Sequence, residues 1–115
     1  MPLAALNTPL NVAKAEFFKA LGHPARIRIL ELLSGGARTV SSLIDETSLE
    51  PPALSQHLAV LRRIGLVEPT RKGTSISYEL ADPTMPEFLD SARAVLLTSL
   101  ARAKRLLDEI HESLL

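Results

Sequence analysis

Apolar residues recur at helical spacing along most of this chain, and one stretch alternates instead. In "TPLNVAKAEFFKALG", Leu10, Ala13, Phe17 and Leu21 fall three or four residues apart, the stripe of an amphipathic helix. Thr8 is its expected N-cap and Pro9 its first helical residue, where the missing N–H has no partner to lose. Gly22 ends it, so the expected span is 8–22. "HPARIRILELLSGG" predicts a second helix over 24–34, with His23 at its N-terminal end and Gly35-Gly36 as its stop. Ala25, Ile27, Ile29, Leu30, Leu32 and Leu33 cover more than half of its circumference, which puts it at the centre of the core. Arg28 and Glu31 fall on the remaining strip, spaced to pair. Arg26 falls inside the apolar arc. Two readings are open for it: a snorkelling or ion-paired arginine, or a phosphate contact.

Residues 39–64 predict two helices joined by a tight turn. "TVSSLIDETS" is a short one, with Thr39 as cap and Val40, Leu43 and Ile44 facing inward. Pro51 and Pro52 fit only in a first helical turn, so the next helix runs from Pro51 to about Ile64. On it Leu54, Leu58 and Leu61 share one face. Gln56, Ala59 and Arg63 lie opposite, with Ser55 and Arg62 on one flank. "LVEPTRKGTSISYEL" then changes period. Val67, Ile76, Tyr78 and Leu80 sit among polar residues, which predicts a β-hairpin over 66–81 with Gly73 in its turn. Pro69 marks a short or edge strand. After the break "ADPTMP", Leu89, Ala92, Leu96, Leu100, Ala103, Leu107, Ile110 and Leu114 form one stripe. It predicts a helix over 86–115, roughly 40 Å long at ~1.5 Å per residue, more than a domain this small needs. Residues 1–7 show no period and are expected to form a loose arm. The expected fold is mainly α with a small β-hairpin, a single winged helix-turn-helix domain over 1–115.

Composition narrows the chemistry. The 115 residues are 46% hydrophobic but only 3% aromatic, so the core is built from Leu, Ile, Val and Ala, as suits packed helices. There is no cysteine, which removes disulfides, thiolate catalysis and cysteine-ligated zinc together. No apolar run approaches the ~18 residues of a membrane span, and the N-terminus lacks the pattern of a signal peptide. A soluble cytoplasmic protein with no membrane partner is expected. No Gly-rich phosphate loop, metalloenzyme His–carboxylate motif or nucleophile with an adjacent base is present, so neither catalysis nor a cofactor is expected.

Thirteen basic and thirteen acidic residues leave no net charge, which counts weakly against nucleic acid. The charge is segregated, however. Arg62-Arg63 and Arg71-Lys72 form two tight cationic pairs, while residues 80–115 hold four basic and six acidic groups. The major groove of B-DNA, about 12 Å wide, admits one helix, and residues near the N-terminus of that helix reach base edges. Ser55, Gln56, His57 and Arg63 are the expected base readers of double-stranded DNA. For His57 a packed, hydrogen-bonded histidine is an equal reading. Thr39, Ser41, Arg62, Arg71, Lys72 and Thr74 are the expected phosphate or wing contacts. The zero net charge keeps a second class open, a winged helix used as a protein-interaction module with little specific DNA binding.

"FFKALGHPARIRILELL", then "ALSQHLAVLRRIGLV" and "RKGTSISYEL", in this order and spacing, resemble the ArsR/SmtB winged-helix repressors over residues 14–80. The resemblance implies a homodimeric bacterial repressor bound to an inverted repeat at a promoter. It also implies a dimer interface from the first and last helices, on Leu10, Phe17, Leu89, Ala92, Leu96, Leu100, Ala103, Leu107 and Ile110. The family's metal triggers do not carry over. Thr39 and Ser41 stand where the arsenic- and cadmium-type sensors have thiolates. Asp82 matches the first ligand of the zinc-type sensors, but Thr84, Val95 and Thr98 stand near the others, and none supplies the imidazole or thiolate such metals need. No metal site is expected. Asp108, His111 and Glu112 lie one turn apart on the last helix, which reads as a solvated helix end or as a weak divalent site across a dimer. Pro51 and Pro52 replace the hydroxyl and amide groups common in the family, removing two backbone donors as well. The effector, a small molecule or a protein, is not legible.

Overall fold

The computed structural model describes residues 7–115, so the arm expected over 1–7 lies, except for Asn7, outside the described residues. The chain forms two compact units, which meet between Pro83 and Thr84 in the sequence. The first contains α1 (Leu10–Leu21), α2 (Pro24–Leu33), β1 (Arg38–Thr39), α3 (Val40–Thr47), α4 (Pro51–Arg63), β2 (Val67–Lys72) and β3 (Ser75–Leu80). The second is the single helix α5 (Met85–Leu114).

The core of the first unit is aliphatic, as the composition requires. Ile29 and Leu30 of α2, Leu43 of α3 and Leu61 of α4 are all 0% exposed. Each such side chain contributes about 1.5–3 kcal/mol relative to a solvated one. Local chemistry sets the helix ends. Pro9 is the N-cap of α1 rather than its first residue, with ψ 143°, and its carbonyl accepts from Val12 and Ala13. His23 caps α2, its Nδ1 accepting from the Ala25 amide at 3.0 Å. Thr39 caps α3 by accepting from the Ser42 amide at 3.0 Å. Arg28 and Glu31 are both exposed and, among the described residues, do not pair with each other.

Three antiparallel strands form a sheet in the order β1-β3-β2. β2 is therefore an edge strand, which explains how it tolerates Pro69. β2 and β3 join through Gly73-Thr74, following the Lys72–Ser75 pair. Gly73 has φ +61° and Thr74 is not among the positive-φ residues, the pattern of a type II′ turn that suits strand twist. β1 was not foreseen. It pairs Arg38 with Tyr78 and Thr39 with Ser77, so the wing is stitched to the start of α3. Arg38 adds to this join. Its Nε donates to the Leu32 carbonyl at 3.3 Å, and its Nη1 donates to Ser42 Oγ at 3.2 Å and lies 3.9 Å from Glu46 Oε1.

α5 is 30 residues long and begins one residue before the expected start. Leu96, Leu100, Leu107 and Ile110 along its stripe are 55%, 56%, 65% and 47% exposed. No described helix is long and apolar enough to cross a membrane.

Candidate nucleic-acid interface

α4 is held rigidly from one side. Leu54, Leu58 and Leu61 are at most 3% exposed, and they repeat at the three- and four-residue spacing of one helix face. The turn before α4 is tight, with Ser48 in the left-handed region at φ 58° and its amide bonded to the Ile44 carbonyl at 2.8 Å. Glu50 then takes the N-cap without a side-chain hydrogen bond, and Pro51 and Pro52 fill the first turn. Opposite the buried face, Ser55, Gln56, Ala59, Arg62 and Arg63 are exposed. The two arginines also lie in the last turn, where a cation is stabilised by the helix dipole, so they serve the helix whatever else they contact.

The exposed ridge of α4 separates two hollows. Toward the wing lies a cleft of about 520 Å³ lined by Val40, Ser55, Leu58, Ala59, Arg62, Arg63, Ile76 and Tyr78. Toward α2 lies a hollow of about 320 Å³ lined by Arg26, Gln56, His57, Ala59, Val60 and Arg63. Arg63 and Ala59 border both. At the hairpin tip Arg71, Lys72 and Thr74 are exposed.

Of the four expected base readers, Ser55, Gln56 and Arg63 share the exposed side of α4, and His57 does not. His57 is half-buried, its ring centroid 4.4 Å from that of His23 and tilted by 47°. Burial, then the neighbouring His23 and Arg26, lowers its pKa below the usual histidine value, which favours the neutral imidazole. The expected phosphate contacts divide as well. Ser41, Arg62, Arg71, Lys72 and Thr74 are exposed, whereas Thr39 is half-buried with its oxygen engaged in the α3 cap. Arg26 lines the α2-side hollow, and its buried Nε has no hydrogen-bond partner. Sequence reasoning marked Arg26 as anomalous but could not show what surrounds it, because its neighbours lie some thirty residues away in the chain.

The expected dimer residues fall on two helices. Leu10 is exposed and Phe17 half-buried on α1. On α5, Leu89 is half-buried, while Ala92, Leu96, Leu100, Ala103, Leu107 and Ile110 are exposed. Among the described residues no group of three or more His, Cys, Asp or Glu side chains is placed to hold a metal ion. Asp108 accepts from Lys104 Nζ at 3.0 Å.

Residues 23–69 match the family described as "Bacterial regulatory protein, arsR family". The chain is 47% identical over 106 residues to the uncharacterized HTH-type transcriptional regulator Rv0081 of Mycobacterium tuberculosis, a match covering 91% of this chain and 93% of that protein. The crystal structure of Rv0081 superposes with a TM-score of 0.78, covering 84% of this chain and 97% of that one. The transcriptional repressor SdpR of Bacillus subtilis is 36% identical over 63 residues, 55% of this chain and 70% of its own length. The homodimeric winged helix-turn-helix DNA-binding domain Mb0332 from Mycobacterium bovis superposes with a TM-score of 0.68 at 31% identity, covering 76% of this chain and 81% of that one. The relatives that match are transcriptional regulators, not enzymes, and the chain belongs to the ArsR family of bacterial transcriptional regulators.

Proposed function

We propose that this regulator is a homodimeric, cytoplasmic repressor that reads an inverted-repeat promoter site and does not respond to metal. One observation carries the reading. Ser55, Gln56 and Arg63 stand exposed on a helix whose other face is locked in the core, and the same unit carries Arg71 and Lys72 at the tip of a hairpin. α4 enters the major groove. Gln56 pairs with adenine through its amide, and Ser55 offers a small donor and acceptor. Arg63 takes guanine or a phosphate, while Arg62, Arg71, Lys72, Thr74 and Ser41 hold the backbone. Thr39 serves chiefly as a cap. His57 leaves the base-reading set, because its ring is packed against His23.

The dimer is formed by α5, whose exposed leucines are costly to leave in water, together with Leu10 and Phe17 of α1. A two-fold dimer presents two α4 helices, and the half-site symmetry follows from it. The absence of thiolate and imidazole at the family's sensing positions supports control by something other than a transition metal. Footprinting on the chain's own promoter region tests this reading. Protection of two symmetric half-sites supports it, and a single asymmetric footprint contradicts the inverted repeat.

A further inference from the structure

The hollow between α2 and α4 holds more positive charge than the fold uses. Its wall carries two guanidinium groups, Arg26 and Arg63, one imidazole, His57, and one amide, Gln56, and no carboxylate. Among the described residues neither arginine is ion-paired. Arg26 Nε is buried without a hydrogen-bond partner, and an unsatisfied buried donor is expensive to maintain. The backbone that carries Arg26 is anchored, since Ile29 and Leu30 on the same helix are both 0% exposed.

We propose that this hollow is an oxyanion site whose occupant is a phosphate group, either a phosphodiester of bound DNA or the phosphate of a small molecule. The DNA form rests on the proposed function, and the small-molecule form does not. The donors come from two helices and so approach from different sides. A tetrahedral phosphate offers oxygens in several directions, whereas a planar carboxylate suits a single fork. Arg63 lies on the same side of α4 as Gln56, seven residues away, and in the DNA form the two arginines hold the phosphate while the Gln56 amide stays with its base. His57 fits the same picture. Burial, His23 and Arg26 lower its pKa, and an anion in the hollow would act the other way and favour its protonated form. His23 commits its own Nδ1 to the Ala25 amide, so its neutral ring carries the proton on Nε2.

The test uses the full chain, isotope-labelled, titrated with inorganic phosphate against sodium chloride at matched ionic strength. The Arg26 Nε–H and His57 imidazole resonances are expected to shift saturably with phosphate, and the His57 titration midpoint is expected to move up. Arg26→Gln removes the first reporter and is expected to abolish the His57 response, and Arg26→Lys to retain part of it. Arg63→Gln, at the exposed end of α4, serves as the second variant, so the result does not depend on Arg26→Gln folding. Promoter DNA binding across a salt series then separates the sources. A drop of about one in the salt slope on Arg26→Gln assigns the site to a DNA phosphate. An unchanged slope with saturable phosphate binding assigns it to a small molecule. No saturable shift, with tight DNA binding of unaltered slope in Arg26→Gln, overturns the oxyanion site and leaves the DNA reading standing. Saturable phosphate binding by a chain that ignores DNA does the reverse.

Discussion

The rings of His23 and His57 lie 4.4 Å apart at 47°, joining the cap of α2 to the flank of α4. The position His57 takes up there gives the fold a pH dependence. Folding lowers the His57 pKa below 6.5, through burial first and then His23 and Arg26. As pH falls through about 6.5 the unfolded chain therefore takes up a proton before the folded one does, and stability declines. Above that pH the contribution is constant. Urea unfolding at pH 7.5 and at pH 5.5 is expected to show a smaller loss in His57→Gln than in the wild type. An equal loss in both would place the acid sensitivity elsewhere.

The two parts of the interface are expected to fail differently. Arg71→Ala removes an exposed wing cation, so it should weaken binding to all DNA alike and reduce the salt slope by about one. Gln56→Ala removes a base contact, so it should cost ~1–3 kcal/mol on the operator and little on unrelated sequence. Anisotropy titrations on both DNAs distinguish these outcomes. Uniform weakening in both variants would show that α4 does not read bases.

Thr39 should prove a stability residue. Its hydroxyl oxygen holds the Ser42 amide at the start of α3, and losing such a cap typically costs ~1 kcal/mol. Thr39→Ala is expected to lower the unfolding free energy from urea titration by that amount while folded protein keeps its operator affinity. A large affinity loss at full stability would instead make Thr39 a phosphate contact.

The α5 stripe is expected to carry the dimer. Leu100 is 56% exposed along it, and a charge at an apolar interface between copies goes unpaired. Leu100→Glu should shift sedimentation from dimer to monomer mass without loss of helix content. Persistence of the dimer would move the interface off this face.

The order of elements was legible because most of them are long enough to show a period. The two faces of α4 could be assigned from Leu54, Leu58 and Leu61 alone. β1 could not, since two residues carry no alternation and Arg38-Thr39 becomes a strand only by pairing with β3. Thr8 and Pro9 satisfy two capping rules at once, and only the backbone shows that Pro9 is the cap. His57 sits at the edge of the apolar arc, where a helical wheel cannot tell solvent from a neighbouring helix. Its packing on His23 and its share in the Arg26 hollow depend on how α2 crosses α4, a tertiary fact that no local pattern encodes.

The most direct measurement is binding of the purified chain to DNA from its own promoter region, by fluorescence anisotropy across a salt series, with zinc and with a chelator. The account predicts tight, competitor-resistant binding to an inverted repeat, steeply weakened by salt and indifferent to both additions. Weak binding that is blind to sequence would contradict the DNA-reading role of α4, and release by zinc would contradict the proposal that the regulator does not respond to metal.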